Sequence, residues 1–144
     1  MPGEVMRVEV VTPENVLFSG EATMVITRTL SGDIAFMAGH APLLGALTEC
    51  HTRIHLSDGT VQDFAVHGGF VEVSGGTVSI LSDTAEGRDE IDVARARAAK
   101  VPAAAALAQS SPGPEEDRLR RALRRADARL SAAGSSSGAA TSAH

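Results

Sequence analysis

The chain has 144 residues and carries 13 basic against 18 acidic side chains, a formal charge of −5. That balance excludes nucleic-acid binding through overall charge, and a single cysteine, Cys50, excludes an internal disulfide or a cysteine-built metal site. Trp and Tyr are absent and Phe numbers four, so no aromatic platform for sugars or single strands is available, and no run approaches the roughly 20 apolar residues that span a bilayer. Met1-Pro2-Gly3-Glu4 lacks the basic region and apolar run of a signal peptide. The expectation is a soluble, cytoplasmic chain with a small core and no membrane insertion of its own.

Charge and composition change together along the chain. Up to Gly87 three arginines face eleven acids, a net of −8; from Arg88 onward ten bases face seven acids, a net of +3. The first part is rich in Val, Ile, Thr, Phe and Gly, the second in Ala, Arg and Leu, which favour helix. The expected division is a β domain over residues 1–87, a helical pair over 88–133 and a disordered tail over 134–144.

In the β part, Met6, Val8 and Val10 alternate with Arg7 and Glu9, and Thr12 to Asn15 makes a turn. Met24, Ile26 and Leu30 are expected to share a face, interrupted by Arg28, before a turn at Ser31-Gly32-Asp33. Cys50, Thr52, Ile54 and Leu56 point one way and His51, Arg53 and His55 the other. Asp58-Gly59 joins that run to a strand over 61–67, a strong hairpin signal. Two more strands, 69–74 and 77–82, flank Gly75-Gly76. About eight short strands at this spacing point to a sandwich or barrel rather than a parallel sheet.

In the helical part, Asp92 is placed to cap a helix starting at Val93. Pro102 should either stop that helix near Lys100 or kink it. After the loop Ser110-Ser111-Pro112-Gly113, Pro114 suits the first position of a second helix, with Glu115, Glu116 and Asp117 in its positive first turn. Leu119, Ala122, Leu123, Ala126 and Leu130 make its apolar stripe, with six arginines between 118 and 129 beside it. Those arginines are read either as a solvated face or as a surface docking against acids.

A search for chemistry returns little. There is no Gly-x-Ser-x-Gly elbow and no phosphate loop, the one lysine being Lys100. Gly68-Gly69 and Gly75-Gly76 open no helix and read as turns or bulges. His51 and His55 flank Arg53, an unfavourable arrangement for a metal, so an exposed polar face is expected. His40 and His67 read as turn residues, and Asp33 as a turn residue or an exposed acid that meets a partner.

Several segments, taken together, resemble the epsilon subunits of F-type ATP synthases: residues 11–22 (VTPENVLFSGEA), 32–44 (GDIAFMAGHAPLL), 66–73 (VHGGFVEV), 80–86 (ILSDTAE) and 90–96 (EIDVARA). They run in order over about residues 5 to 130. The resemblance implies a ten-stranded β-sandwich followed by an antiparallel two-helix hairpin, a mainly β chain with α. It implies a non-catalytic place in the rotating central stalk, bound to the gamma subunit and seated on the membrane ring of c subunits. The location would then be peripheral, on the cytoplasmic face of the plasma membrane, with proton flow through the ring coupled to ATP synthesis. In many bacterial members the hairpin also restrains ATP hydrolysis.

The same resemblance assigns candidate residues. Asp33 and His40 would face the c ring. Arg121, Arg124 and Arg125 would meet the catalytic beta subunits. Ile91, Asp92, Arg95 and Ala96 match an Ile/Leu-Asp-x-x-Arg-Ala motif that binds regulatory ATP in some members, with Glu86 upstream and Arg125 or Arg129 as phosphate partners. A plain cap role already accounts for Asp92, and no cofactor is required. Three departures stand out: Ala38 where Pro is usual, Cys50 where Gly is usual, and Pro102 inside the first helix. The rival readings are a β-sandwich ligand-binding module, short of the aromatics a pocket needs, and, further off, a hydrolase.

Overall fold

The computed structural model describes residues 4–134, in which eight strands precede two helices. The strands are β1 (Met6–Val11), β2 (Val16–Ala22), β3 (Met24–Thr29), β4 (Gly32–Met37), β5 (Leu43–His55), β6 (Val61–Ser74), β7 (Thr77–Leu81) and β8 (Ala85–Gly87). A 3-10 turn, Arg88–Glu90, leads to α1 (Val93–Gln109) and α2 (Pro114–Gly134). Gly134 closes α2; the rest of the expected tail lies outside the described residues.

The strands hydrogen-bond in the order β2-β1-β7-β6-β5-β3-β4, with β8 also on β6. All pairs are antiparallel except β1 with β7. β5 and β6 are the long members, and their ladder skips the pair Thr48 and Gly68. On one side of that skip β6 meets β7, on the other β8. Each long strand therefore serves both layers of the sandwich. Divided at the skip, each layer has five segments, which reconciles the ten expected strands with eight elements. The expected break between 67 and 69 is absent because Gly68 and Gly69, both at positive φ, bend the strand without ending it.

The core lies between the layers: Met6, Val8 and Val10 from β1, Val25 and Phe36 from β3 and β4, Ile54, Phe64, Val66 and Val71 from the long strands, Val78 and Ile80 from β7. Phe18 of β2 meets Phe64 of β6 edge to face at 6.4 Å across it. The face expected of β3 is corrected. Val25 and Thr27 point inward, and Met24 and Ile26 do not. Thr27 tolerates burial because its hydroxyl bonds Thr52 at 2.8 Å and Cys50 Sγ at 3.3 Å. The expected alternation of Cys50, Thr52 and Ile54 inward holds.

α1 neither stops nor breaks at Pro102; the helix runs on to Gln109. The four alanines that follow are strong helix formers. α1 is thinly anchored, with Ala96 its one buried residue. α2 opens as expected, with three acids in its first turn. Its buried set is Leu119, Ala126, Ala128 and Ala132, wider than the expected stripe. It packs on α1 and also on β5 and β6.

Candidate functional site: the joint between helix and sandwich

α2 lies against the outer face of one layer, where Ala128 and Ala132 meet Ala65 of β6 and Ile91. Small side chains on both sides let the backbones approach closely, so little apolar area holds the joint. Polar bonds at its edges complete it. Arg124 Nε donates to Glu49 Oε1 at 2.8 Å. Burial, the largest influence, pushes the Glu49 carboxyl up, but the bond and charge of Arg124, a backbone N–H and the Thr48 hydroxyl together hold the group below the usual carboxylate range. Lys100 of α1 pairs with Asp127 of α2 at 2.9 Å.

His51 is not the exposed residue expected. Its Nδ1 lies 2.8 Å from Ser131 Oγ on α2, and its Nε2 lies 2.7 Å from Oδ1 of the buried Asp63. The ring holds both bonds in either charge state. Neutral, it accepts from Ser131 and donates to Asp63; protonated, it donates to both. The order Ser–His–Asp has the connectivity of a nucleophilic triad. Ser131 sits inside α2, however, where neighbouring N–H groups are spent on the helix ladder and unavailable to an oxyanion. The chain acts as a fastener. The Asp58-Gly59 hairpin fixed the register that brings Asp63 within reach of His51, so that pair had a sequence signal. Ser131, eighty positions on, had none.

A second fastener joins β6, β8 and α2. Arg129 Nε donates to Glu86 Oε1 at 2.6 Å, and His67 Nε2 lies 3.1 Å from the same oxygen. Burial raises the Glu86 carboxyl, yet the bonds from Arg129 and His67 bring it below its ordinary value. Burial also lowers His67, and Arg129 and Arg125 add to that against the pull of Glu86.

The nucleotide candidates gather at one cleft of about 410 Å³ lined by Glu86, Glu90, Asp92, Arg95, Ala96, Ala99 and Arg129. Asp92 Oδ1 accepts from the Arg95 N–H at 3.0 Å, which is the cap geometry. Ile91 is turned instead toward Ala65, Ala128 and Ala132. Asp33 and His40 lie at opposite ends of β4. Asp33 pairs with Arg28 at 2.6 Å on the surface; the His40 Nδ1 lies 2.7 Å from the Ala41 carbonyl oxygen, and its ring stacks edge-on to Phe36. Of the three candidate arginines, Arg121 is exposed, Arg125 half-buried near His67, and Arg124 bound to Glu49.

Among the described residues nothing covers the outside of the other layer. Register aligns Val16, Val11, Leu81, Phe70 and Ala46 in one row across five strands. Leu30, whose N–H bonds the Ala46 carbonyl, extends it, and Leu44 lies one outward position along β5. Val16, Leu30, Leu44, Phe70 and Leu81 are 45% to 77% exposed. Among the described residues no helix is long and apolar enough to cross a membrane.

Comparison with known proteins shows the family. Residues 5–88 match a family model described as ATP synthase, Delta/Epsilon chain, beta-sandwich domain, and residues 89–134 one described as its long alpha-helix domain. The chain is 44% identical over 127 residues to an ATP synthase epsilon chain of Streptomyces griseus, covering 88% of this chain and 94% of that one. It is 40% identical over 129 residues to one of Moorella thermoacetica, covering 90% and 96%. In fold it is similar to a chain of the Euglena gracilis mitochondrial ATP synthase, OSCP/F1/c-ring assembly, with TM-score 0.77, 22% identity and coverage of 90% and 81%. A chain of the Tetrahymena thermophila mitochondrial ATP synthase central stalk/c-ring aligns with TM-score 0.60, 16% identity and coverage of 90% and 96%.

Proposed function

Because the chain belongs to the ATP synthase delta/epsilon family, as an epsilon subunit of the bacterial F-type enzyme, we propose that it joins the gamma subunit to the c ring as part of the rotor. Proton flow through the ring then turns gamma inside the catalytic head, where ATP is made. The subunit is non-catalytic, and its location is peripheral, at the cytoplasmic face of the plasma membrane.

The observation that carries this reading is the unequal treatment of the two outer faces. One is closed by α2. The other exposes an apolar row, and contiguous exposed apolar surface marks an interaction site. That row seats gamma. The loops at the ends of β4, with Asp33 and His40, face the c ring. The test replaces Phe70 and Leu81 with Glu and recovers the complex from detergent-solubilised membranes. Loss of co-purification with gamma, with an unchanged circular dichroism spectrum, is expected. Full recovery of gamma overturns the assignment.

The hairpin restrains hydrolysis when it leaves the sandwich, its arginines Arg121, Arg124 and Arg125 then meeting acids of the catalytic beta subunits. Release costs little, since alanines bury little area. Deleting residues from Pro114 onward should leave assembly intact and raise ATP hydrolysis in inverted membrane vesicles; unchanged rates would make the hairpin a passive appendage.

A second reading concerns regulatory ATP, favoured by the meeting of Asp92, Arg95, Glu86 and Arg129 around one cleft. Against it, Asp92 is engaged as a cap and Arg129 by Glu86. The expected result in calorimetry of the chain with ATP is no heat at millimolar concentration. Heat that Arg95→Ala abolishes would establish the site.

A further inference from the structure

The two histidine fasteners of α2 respond differently to a proton, and His67 is the one that cannot absorb it. Its side chain is 3% exposed and lies beside the β5–β6 corner. Nε2 is satisfied by Glu86, but Nδ1 is buried with no hydrogen-bond partner. The charged groups around it come from every neighbouring element: Glu49 across the ladder on β5, already held by Arg124; Glu86 of β8; Asp83 beyond β7; and Arg125 and Arg129 of α2. Protonation at Nδ1 would bury an N–H without an acceptor. It would also set a positive charge beside two arginines, one of which shares Glu86 Oε1 with it. Removing α2 relieves all of this at once. The arginines depart, water reaches Nδ1, and Glu86 is left to the imidazolium.

We propose that His67 is a proton-sensitive latch for the hairpin, so that acidification releases α2 from the sandwich. The functional consequence rests on the reading of the released hairpin as a restraint on hydrolysis: a fall in cytoplasmic pH would shift the enzyme toward the restrained state. His51 does not share this role, because its two bonds survive protonation.

The direction follows from linkage. Burial and the facing arginines depress His67 in the docked state, while undocking returns it toward the ordinary histidine value. Docking is therefore complete above about pH 6.5. It weakens as pH falls below that, by up to roughly tenfold per unit, until the docked form also takes up the proton.

The test follows α2 amide hydrogen exchange in the full-length chain between pH 5.5 and 8, corrected for intrinsic rates, and ATP hydrolysis by the whole complex in inverted vesicles over the same range. Wild type should lose α2 protection as pH falls, and His67→Gln, which keeps a donor for Glu86 but cannot be charged, should not. Should His67→Gln misfold, Arg129→Gln serves instead: Glu86 then belongs to the imidazolium and one facing charge is gone, so acid should open the hairpin less than in wild type. Protection independent of pH in wild type, or an undiminished dependence in the variants, overturns the latch. Release on acidification with no change in hydrolysis would uphold the latch and refute the restraint.

Discussion

At Gly69 the backbone runs at φ +112°, and an added Cβ would overlap the Leu81 carbonyl oxygen and press on Ser82 Cα. Both obstacles are backbone at the corner where β6 leaves β7, so they cannot move aside. Gly69→Ala should destabilise the sandwich by about 3 kcal/mol or more, read as a drop in melting temperature. Gly59, at φ +91° but in open space, is the control; Gly59→Ala should cost about 1 kcal/mol. A glycine pair was visible in the sequence, but whether it marked a loop or a bend inside one strand was not, because that depends on the strand beyond it. Thr27 makes the same point. Its hydroxyl reads as solvent-facing until Thr52 and Cys50 are placed opposite it.

The helices show what pattern reveals and what it conceals. The start of α2 was legible from Pro114 and the acids behind it, since capping chemistry is local. Its second packing face was not, because Ala128 and Ala132 sit among arginines and carry little apolar weight. Ala132 is fully buried against the Ala65 side. Ala132→Leu should overfill that contact by about 1–3 kcal/mol. The expected outcome is a helix whose amides exchange faster while sandwich amides are unchanged; equal acceleration in both would show that the two parts unfold together. The edge bonds matter less. Arg124 is 43% exposed, so a double-mutant cycle of Arg124→Ala with Glu49→Ala should give a coupling under about 1 kcal/mol, smaller in high salt. Because Glu49 is depressed in the docked state, that contribution is present at neutral pH and fades as acid protonates the carboxylate. Pro102 lies in a helix that continues past it, and Pro102→Ala should stabilise α1 by up to about 3 kcal/mol, seen as slower exchange in its second half.

For the whole molecule, hairpin register and helix order were legible because each rests on neighbours in sequence. The apolar row was not, since Val16, Leu81, Phe70 and Leu30 come together only through the ladder order. The long strands have a mechanical consequence. β5 and β6 pass uninterrupted from the open face to the face beneath α2. A twisting load applied at one face reaches the other through peptide bonds and a paired ladder, with no loop in series to yield. The layers cannot shear independently. Stretched between its ends in a force experiment, the sandwich should rupture in one event, and two separated peaks would mean that the corner at Thr48 and Gly68 behaves as a hinge and not as a rigid elbow.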